Sequence, residues 1–280
     1  MNITILGHVC IDHNKSEGTS YIAAGSPAMY IARIYNKFPQ TKTQIIAPFG
    51  SDFSQHIHYN SIYPQLSQGE KTLLYENSSQ GNLRTQKALN REHAHPVPID
   101  EGLISRLRAS DIIYFAPLIP TYGVEYIKTC LSYAPKDALK ILLPQGYYRD
   151  FTEDDEVIQR TFIESADIIP LFDFAIVSEQ DHQDMLETIH KWSKDIKVIM
   201  TMGDKGAMYI DKAHSYIAPT KAVPVKDIVD SVGSGDIFSA SFGYKYRLTG
   251  NIHKSLDFAN NIARQCLYFK PDSLNIVLPK

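Results

Sequence analysis

Short apolar runs alternate with longer amphipathic segments along this chain, and that alternation is the strongest constraint on its fold. The apolar runs have strand length and lie at 3–9, 43–49, 111–116, 140–145, 174–179 and 197–203. Helices are predicted between them at 26–37, 100–108, 122–133 and 179–193. Ser26 and Asp100 suit helix N-caps, and Pro27 suits a first helical position. We therefore predict an α/β fold, with a doubly wound, mainly parallel sheet flanked by helices.

Residues 70–91 interrupt the alternation. They read as two strands around a polar turn that contains Asn77, Ser78, Ser79 and Gly81, with no helix between the strands. Residues 19–24 could join them in a small sheet that stands off the main one. We predict a single domain over 1–280 with a small β lid built from 13–24 and 70–91.

The C-terminal third changes pattern again. Three successive antiparallel strands are predicted in the runs AMYID, HSYIAP and KAVPVKDIV. Two long helices follow at 234–248 and 252–269, separated by stop and restart signals at 249–251.

Charge and cysteine content exclude several classes of protein. The chain has 28 basic and 31 acidic side chains and a net charge of -3, without the basic excess typical of nucleic-acid or membrane surfaces. Its three cysteines lie in apolar runs, which fits a reducing cytoplasm. The N-terminal run is too short for a signal peptide or a membrane span and is predicted to be the first strand. A small-molecule or protein partner is therefore expected.

The run DSVGSGDIFSASF at 230–242 predicts a strand-to-helix junction with unusual chemistry. Gly233, Ser234 and Gly235 leave the amides of a helix start open, and such amides attract anions. Asp236 follows at once. A carboxylate in a first helical turn can simply favour the helix dipole, but a base beside an anion site is also what phosphoryl transfer to an alcohol requires.

The two standard phosphate motifs are missing at this junction. The run lacks the G-x-x-x-x-G-K-[ST] of a P-loop, and Phe238 stands where the dinucleotide fingerprint needs its third glycine. The run instead resembles the C-terminal signature of the ribokinase-like (PfkB) carbohydrate kinases, D-[ST]-x-G-A-G-D-x-F, with Ser234 in place of alanine. The resemblance implies ATP as donor, Asp236 as catalytic base and Gly233 to Gly235 as the anion hole.

The resemblance also implies residues on the acceptor side. The G-x-x-x-x-D pattern fits Gly7 to Asp12, and the glycine pair that opens the first helix fits Ala24 and Gly25, followed by Ser26. Met29 replaces the asparagine often found in that helix. The run LLPQGYYRD resembles a family branch with myo-inositol kinases and makes Arg149 a candidate clamp for substrate or phosphate. Surface pairing of Arg149 with Asp150 or Asp154 is the alternative.

Nucleotide and metal residues are implied in the same way. Thr201, Gly203, Lys205 and Gly206 match a T-x-G-x-x-G nucleotide turn, and Asn260 matches the helix that lines the adenine pocket, although an exposed helical amide is equally consistent. Ser178 and Asp181 stand where the family has its magnesium-associated N-x-x-E motif. The alternative is a solvated helix start in which Glu179 and Asp181 favour the helix dipole. Some members bind a monovalent cation near Asp230 and Val232, and the sequence leaves open whether this chain does.

The sequence thus predicts a cytoplasmic ATP- and Mg²⁺-dependent kinase that phosphorylates a hydroxyl of a small sugar, polyol or nucleoside. A non-catalytic ligand-binding member of the same fold, acting as a sensor or scaffold, is the alternative, because the chain departs from the family at Met29, Ser178 and Asp181. A nicotinamide-dependent oxidoreductase would need a glycine fingerprint after an early strand, and GHVCID lacks it. Monomer and homodimer both remain open.

Overall fold

One large sheet forms the centre of the fold. The computed structural model describes residues 1–16, 19–59, 62–80, 83–270 and 273–278. Its strands, in chain order, are β1 (Asn2–Gly7), β2 (Cys10–Ser16), β3 (Thr19–Gly25), β4 (Lys42–Ile46), β5 (Ile62–Tyr63), β6 (Leu74–Gln80), β7 (Leu83–Leu89), β8 (Ile112–Ala116), β9 (Leu139–Leu142), β10 (Arg149–Phe151), β11 (Val157–Gln159), β12 (Phe174–Ser178), β13 (Lys197–Thr201), β14 (Ala207–Ile210) and β15 (Ser215–Ala218).

Within the described residues, the large sheet has nine strands in the order β15-β14-β13-β12-β9-β8-β1-β4-β5. Every pairing from β5 to β13 is parallel, and β14 and β15 add an antiparallel edge next to β13. All six strands predicted from the apolar runs are present in it as β1, β4, β8, β9, β12 and β13. The prediction of a mainly parallel α/β sheet is confirmed.

Helices cover both faces of this sheet. They are α1 (Pro27–Tyr35), α2 (Glu101–Arg108), α3 (Val124–Ser132), α4 (Ser165–Ile168), α5 (Met185–Trp192), α6 (Ser234–Thr249) and α7 (Ile252–Cys266). The apolar side chains of α1, α6 and α7 pack into one core, and those of α2 to α5 pack into a second core. The arrangement is doubly wound, as predicted.

Strand β8 illustrates how one sequence supplies both cores. Ile112 and Tyr114 belong to the core under α1 and α6, whereas Ile113 and Phe115 belong to the opposite core. Successive side chains of a strand point to opposite faces, so a strand buried on both sides must be apolar throughout. The buried Tyr114 hydroxyl is satisfied by the Tyr35 hydroxyl at 2.9 Å.

The predicted helix boundaries have the capping interactions that their residues suggest. The Ser26 hydroxyl accepts a hydrogen bond from the Met29 amide at 3.2 Å, and Asp100 accepts one from the Leu103 amide at 2.8 Å. Gly250 ends α6 with a φ of 61°, a left-handed conformation that glycine adopts without strain. These local signals fix where the helices next to the site begin.

The predicted lid segments form a second sheet, which has four strands. Its order is β3-β2-β6-β7, with β2 antiparallel to β3 and parallel to β6. The two strands predicted in 70–91 are β6 and β7, but residues 77–79, predicted as their turn, continue β6. Gly81 lies outside the described residues. Strand β2 was not predicted, because its sequence CIDHNKS has too few apolar residues to read as a strand.

Two further predictions were wrong. No strand forms over 221–229, where Pro224 lacks an amide hydrogen and a short 3-10 turn runs over Val225–Asp227 instead. The helix predicted from 179 begins only at Met185, because the preceding residues form turns. The cysteines Cys10, Cys130 and Cys266 are free and buried, as expected. Within the described ranges, no helix has the length and apolar character needed to cross a bilayer.

Candidate active site

A cleft of about 760 Å³ lies between the four-stranded sheet, the predicted lid, and the carboxyl ends of the central strands. Open parallel sheets bind ligands at this edge. Of the residues predicted for the site, those that line the cleft are Asp12, Ser26, Arg149, Ser178, Asp181, Thr201, Gly203, Gly206, Gly233, Ser234, Gly235, Asp236 and Asn260. Gly25 and Lys205 are the predicted residues that do not line it.

The start of α6 presents open backbone to the cleft. Gly233 has a φ of 75°, and a Cβ there would lie 2.5 Å from Cγ of Tyr30, so the position requires glycine. A Cβ on Gly235 would meet no atom within 4 Å. Among the described residues no acceptor binds the amides of Gly235 and Asp236, whereas the Ser234 amide already bonds the Ser231 carbonyl at 3.2 Å. The amides open to an anion are therefore those of Gly235 and Asp236, one position later than predicted.

Asp236 lies in the first turn of α6, partly buried at the floor of the cleft. Burial is the main reason that the pKa of its carboxyl rises to about 7. The negative charge of Asp181 raises it further, and the positive charge of Arg149 opposes both effects. A carboxyl with a pKa near neutrality can exchange a proton at physiological pH, which a general base must do.

Asp181 lies in the turn after β12 and faces the same cleft. Its carboxylate accepts a hydrogen bond from the Ser178 amide at 2.8 Å. Burial raises the pKa of this carboxyl, against the Ser178 amide, the charge of Arg149 and a hydrogen bond from Gln145. The alternative of a helix start at Glu179 and Asp181 is wrong, because α5 begins four residues after Asp181.

Arg149 is the cation that acts on both of these carboxyl groups. Its Nη1 donates to the Tyr75 hydroxyl at 3.0 Å and to the Leu118 carbonyl at 3.2 Å, and its guanidinium lies 5.2 Å from the centre of the Tyr75 ring. The alternative of a surface pair with Asp150 or Asp154 is therefore wrong. The guanidinium is held at the centre of the cleft by groups of the lid and the β8–α3 loop.

His8 helps to hold the Leu118 backbone, which in turn binds Arg149. Its Nδ1 accepts the Leu118 amide at 2.9 Å, and its Nε2 lies 3.0 Å from the Ala94 carbonyl. Burial lowers the pKa of His8 to about 4, so the ring is neutral and its Nε2 carries the proton. No signal in the sequence indicates His8 or Tyr75, because a lone histidine and a strand tyrosine carry no motif.

On the acceptor side, Gly25 makes room for Asp12. The two residues lie on neighbouring strands, and a Cβ on Gly25 would overlap the Asp12 carboxylate. Ser26 has a φ of 116°, a strained left-handed value for a residue other than glycine. Met29, at the position where the family often has asparagine, is buried in the core.

On the opposite side, the predicted nucleotide turn follows β13. Gly203 and Gly206 adopt φ values of 56° and 98°, which explains why glycine is present at both positions. Lys205 points outward and pairs with Glu179 at 3.4 Å, with 68% of its side chain exposed. That position places the ammonium away from the cleft.

Asn260 is buried rather than exposed, so the alternative of an exposed helical amide is wrong. Its Nδ2 donates to the Ala218 carbonyl at 2.9 Å, which joins α7 to the end of β15. The carboxylate of Asp230, near the predicted monovalent-cation site, accepts the Val232 amide at 2.8 Å.

Comparison with known proteins identifies the family. The model of the pfkB family of carbohydrate kinases matches residues 48–268, most of the chain. The chain belongs to this family. A curated family relative, the 2-dehydro-3-deoxygluconokinase of Haemophilus influenzae, is 26% identical over 210 residues, which cover 70% of this chain and 63% of the length of that relative.

Solved kinases of this type share the fold. A pyrophosphate-dependent kinase of the ribokinase family, complexed with a pyrophosphate analogue and myo-inositol, has a TM-score of 0.74 at 17% identity and covers 95% of this chain and 94% of its own. The ribokinase of Arabidopsis thaliana, complexed with ribose and ATP, has a TM-score of 0.69 at 14% identity, with 96% and 93% covered. The nucleoside kinase of Methanocaldococcus jannaschii has a TM-score of 0.70 at 17% identity, with 96% and 92% covered.

Proposed function

We propose that this chain is an ATP-dependent kinase that transfers a phosphoryl group to a hydroxyl of a small sugar, polyol or nucleoside. The observation that carries the proposal is the start of α6, where Asp236, with a pKa of about 7, lies beside amides that have no acceptor among the described residues. Phosphoryl transfer needs a proton acceptor for the alcohol and donors for the negative charge on the moving group. Both are present within one helical turn.

Asp236 acts as the base in this proposal. An acceptor hydroxyl held between Asp236 and Asp12 gives its proton to the Asp236 carboxylate as its oxygen attacks the terminal phosphorus of the donor. The bond from that phosphorus to the bridging oxygen breaks, and the bridging oxygen leaves with the remainder of the donor. Burial and Asp181 make the carboxylate basic enough to take the proton near pH 7.

The moving phosphoryl group is stabilised by main-chain donors and by one side chain. The amides of Gly235 and Asp236 lie at the positive end of the helix dipole, where negative charge is most favourable. Gly235 has no side chain to obstruct the approach. Arg149, fixed by Tyr75 and Leu118, adds a cation next to the carboxyl groups.

The donor would lie toward the β13–β15 end of the cleft. Thr201, Gly203 and Gly206 form the turn at this end, and Asn260 acts indirectly by holding β15 against α7. ATP is the donor we propose, since a ribokinase of the same fold is complexed with ATP. A pyrophosphate-dependent kinase with the same fold makes pyrophosphate the donor to test beside it.

Mg²⁺ fits the site as an ion bound through the donor phosphates. Among the described residues, no group of three His, Cys, Asp or Glu side chains could hold a metal ion alone. Mg²⁺ commonly keeps several waters and takes one or two protein carboxylates, and Asp181 could be one of these. When bound, the ion would neutralise charge on the donor phosphates. Asp230 and the backbone near Val232 would form any monovalent-cation site.

The sheet β3-β2-β6-β7 is proposed as the lid of a single-domain enzyme, over a site whose acceptor side includes Asp12, Gly25 and Ser26. Its outer face could stay exposed or pair with a second subunit. The three free, buried cysteines are consistent with a protein of the cytoplasm.

The test is acceptor-dependent release of ADP, measured with Mg-ATP against a panel of sugars, polyols and nucleosides. With pyrophosphate as donor, acceptor-dependent release of orthophosphate is measured instead. We expect turnover with at least one acceptor and loss of turnover in Asp236→Asn. The rival function is a sensor or scaffold that binds such compounds without reacting them. Binding of an acceptor by calorimetry, with no turnover by either donor, would favour that rival.

A further inference from the structure

Three amide side chains form a row across the inner face of the lid sheet. Asn14 of β2 lies opposite Asn77 of β6, which lies opposite Gln86 of β7. All three line the cleft, as does Asp12, which lies on the same face of β2. The motifs of the family do not include this row.

Hydrogen bonds within the row give it a direction. Gln86 Nε2 donates to Asn77 Oδ1 at 2.7 Å, and Asn77 Nδ2 donates to Asn14 Oδ1 at 3.1 Å. Asn77 Nδ2 also lies 3.5 Å from Asp12 Oδ1. Since Asn77 uses both ends of its amide inside the row, it orients its two neighbours and holds them in place.

The row leaves complementary groups for a ligand. Within the part of the chain that the structure describes, no hydrogen bond uses Asn14 Nδ2 or Gln86 Oε1. The first offers donors and the second an acceptor, next to the acceptor oxygens of Asp12. A hydroxyl both donates and accepts, so adjacent hydroxyls match such an array, whereas a carboxylate can only accept.

Charge around the acceptor disfavours an anionic ligand. Asp12, Asp181 and Asp236 place three carboxyl groups around this part of the cleft. Arg149 is the one Lys or Arg among the described lining residues near them, and in the proposed reaction its charge serves the moving phosphoryl group. The other lining cations follow β15 and lie on α7, at the far end of the sheet order from β1 and the lid: Lys221 and Arg264.

We propose that the acceptor is an uncharged compound with adjacent hydroxyls, a polyol or neutral sugar, and that Asn14, Asn77 and Gln86 recognise it. This inference rests on the proposed kinase function and narrows its acceptor. It separates this chain from the sugar acid in the name of its curated relative, 2-dehydro-3-deoxygluconokinase. It makes Asn77 a specificity-determining residue through its effect on the two neighbouring amides.

Binding is measured by calorimetry on the wild-type chain, without a phosphoryl donor. The probes are myo-inositol, ribitol, ribose, 2-dehydro-3-deoxygluconate and adenosine. We expect at least one neutral polyol or sugar to bind about tenfold or more tightly than the acid and the nucleoside. Tighter binding of the acid, with Arg149 as its partner, or of the nucleoside would overturn the inference.

The row itself is tested with Asn77→Asp, which keeps the size of the side chain and removes its donors. We expect the Kd and KM of the preferred acceptor to rise about 10- to 100-fold, with a much smaller change in kcat. Ser78→Asp is the matched control, because it adds the same charge one residue along β6 on the opposite face and should change binding less than about twofold. Equal effects of the two variants would contradict a role for the row.

Two further measurements keep the test decisive. Thermal unfolding reports whether Asn77→Asp remains folded. If it does not, Gln86→Met replaces it, because this variant removes the terminal acceptor together with the donor to Asn77. Tight binding of a neutral polyol without phosphoryl transfer would refute the kinase function and leave the ligand class standing. Transfer to a sugar acid would do the reverse.

Discussion

Replacing Asp236 by asparagine should make the protein more stable at high pH while abolishing its chemistry. The carboxyl has a pKa of about 7 in the folded chain against an ordinary value of 3.8. A group whose pKa is raised by folding favours the folded state when protonated, so stability falls as pH rises from about 4 to 7. Asparagine cannot ionise and carries no such penalty.

The size of the effect follows from the two pKa values. Each pH unit between them corresponds to 1.36 kcal/mol, which gives an upper bound of about 4 kcal/mol at pH 8. Asp236 remains partly exposed to the cleft, and solvent there should reduce the observed gain to about 2 kcal/mol. For a chain of 280 residues, a change of that size corresponds to a rise in Tm of about 3 °C.

The assay is thermal unfolding of wild type and Asp236→Asn between pH 3.5 and 8.5, with an exposed carboxylate on α7 as control, Asp257→Asn. The Tm values of wild type and Asp236→Asn should be equal near pH 4 and diverge as pH rises, whereas the Tm of the control should follow that of wild type. Parallel curves for wild type and Asp236→Asn across the whole range would refute the burial argument.

Three other substitutions test the surrounding geometry. Asp181→Asn removes a charge that raises the pKa of Asp236, so the rising limb of the pH profile of kcat/KM should move to lower pH; an unmoved limb would argue against the coupling. Gly233→Ala should lower the free energy of unfolding by about 1–3 kcal/mol in a denaturation assay, because of backbone strain and contact with a tyrosine ring. Gly235→Ala should leave Tm within about 2 °C but lower kcat in a rate assay. Ser26→Gly relieves a positive φ and should be at least as stable as wild type, while Ser26→Ala, which keeps the strain and loses the cap, should lose about 1 kcal/mol in urea unfolding.

The central sheet was predictable because its strands are buried on both faces. Continuous apolar runs that alternate with amphipathic helices, such as those of β8, β12 and β13, are typical of strands buried on both faces. The caps at Ser26 and Asp100 are local signals. The lid was harder. Strand β2 has the polar sequence CIDHNKS because it faces the cleft. It is held by pairing with β3 and β6 on its two edges, and a local sequence pattern cannot reveal that pairing.

The site was predictable where residues cluster in the sequence. The run from Gly233 to Asp236 supplies the proposed base and the open amides together, so a motif could find it. Arg149 was found, but its partner Tyr75 comes from a strand 74 residues away and depends on tertiary packing. Lys205 fitted the motif and still points outward, where it pairs with Glu179, a half-buried acidic neighbour.

Residues 221–229 show the opposite case, in which the sequence pattern predicted a strand that does not form. Alternating apolar residues there predicted a strand, yet Val225 is 86% exposed and Pro224 interrupts any ladder of hydrogen bonds. Periodicity reports a buried face only when a neighbouring strand is available to pair with.

The most direct test of the account is a single-turnover measurement of phosphoryl transfer from labelled ATP to the best acceptor, with wild type and Asp236→Asn at pH 8. The variant should transfer the label at least about 100-fold more slowly than wild type, with Kd values for ATP and acceptor unchanged within about threefold. Transfer by the variant at a rate within about tenfold of wild type would contradict the role of Asp236 as the base.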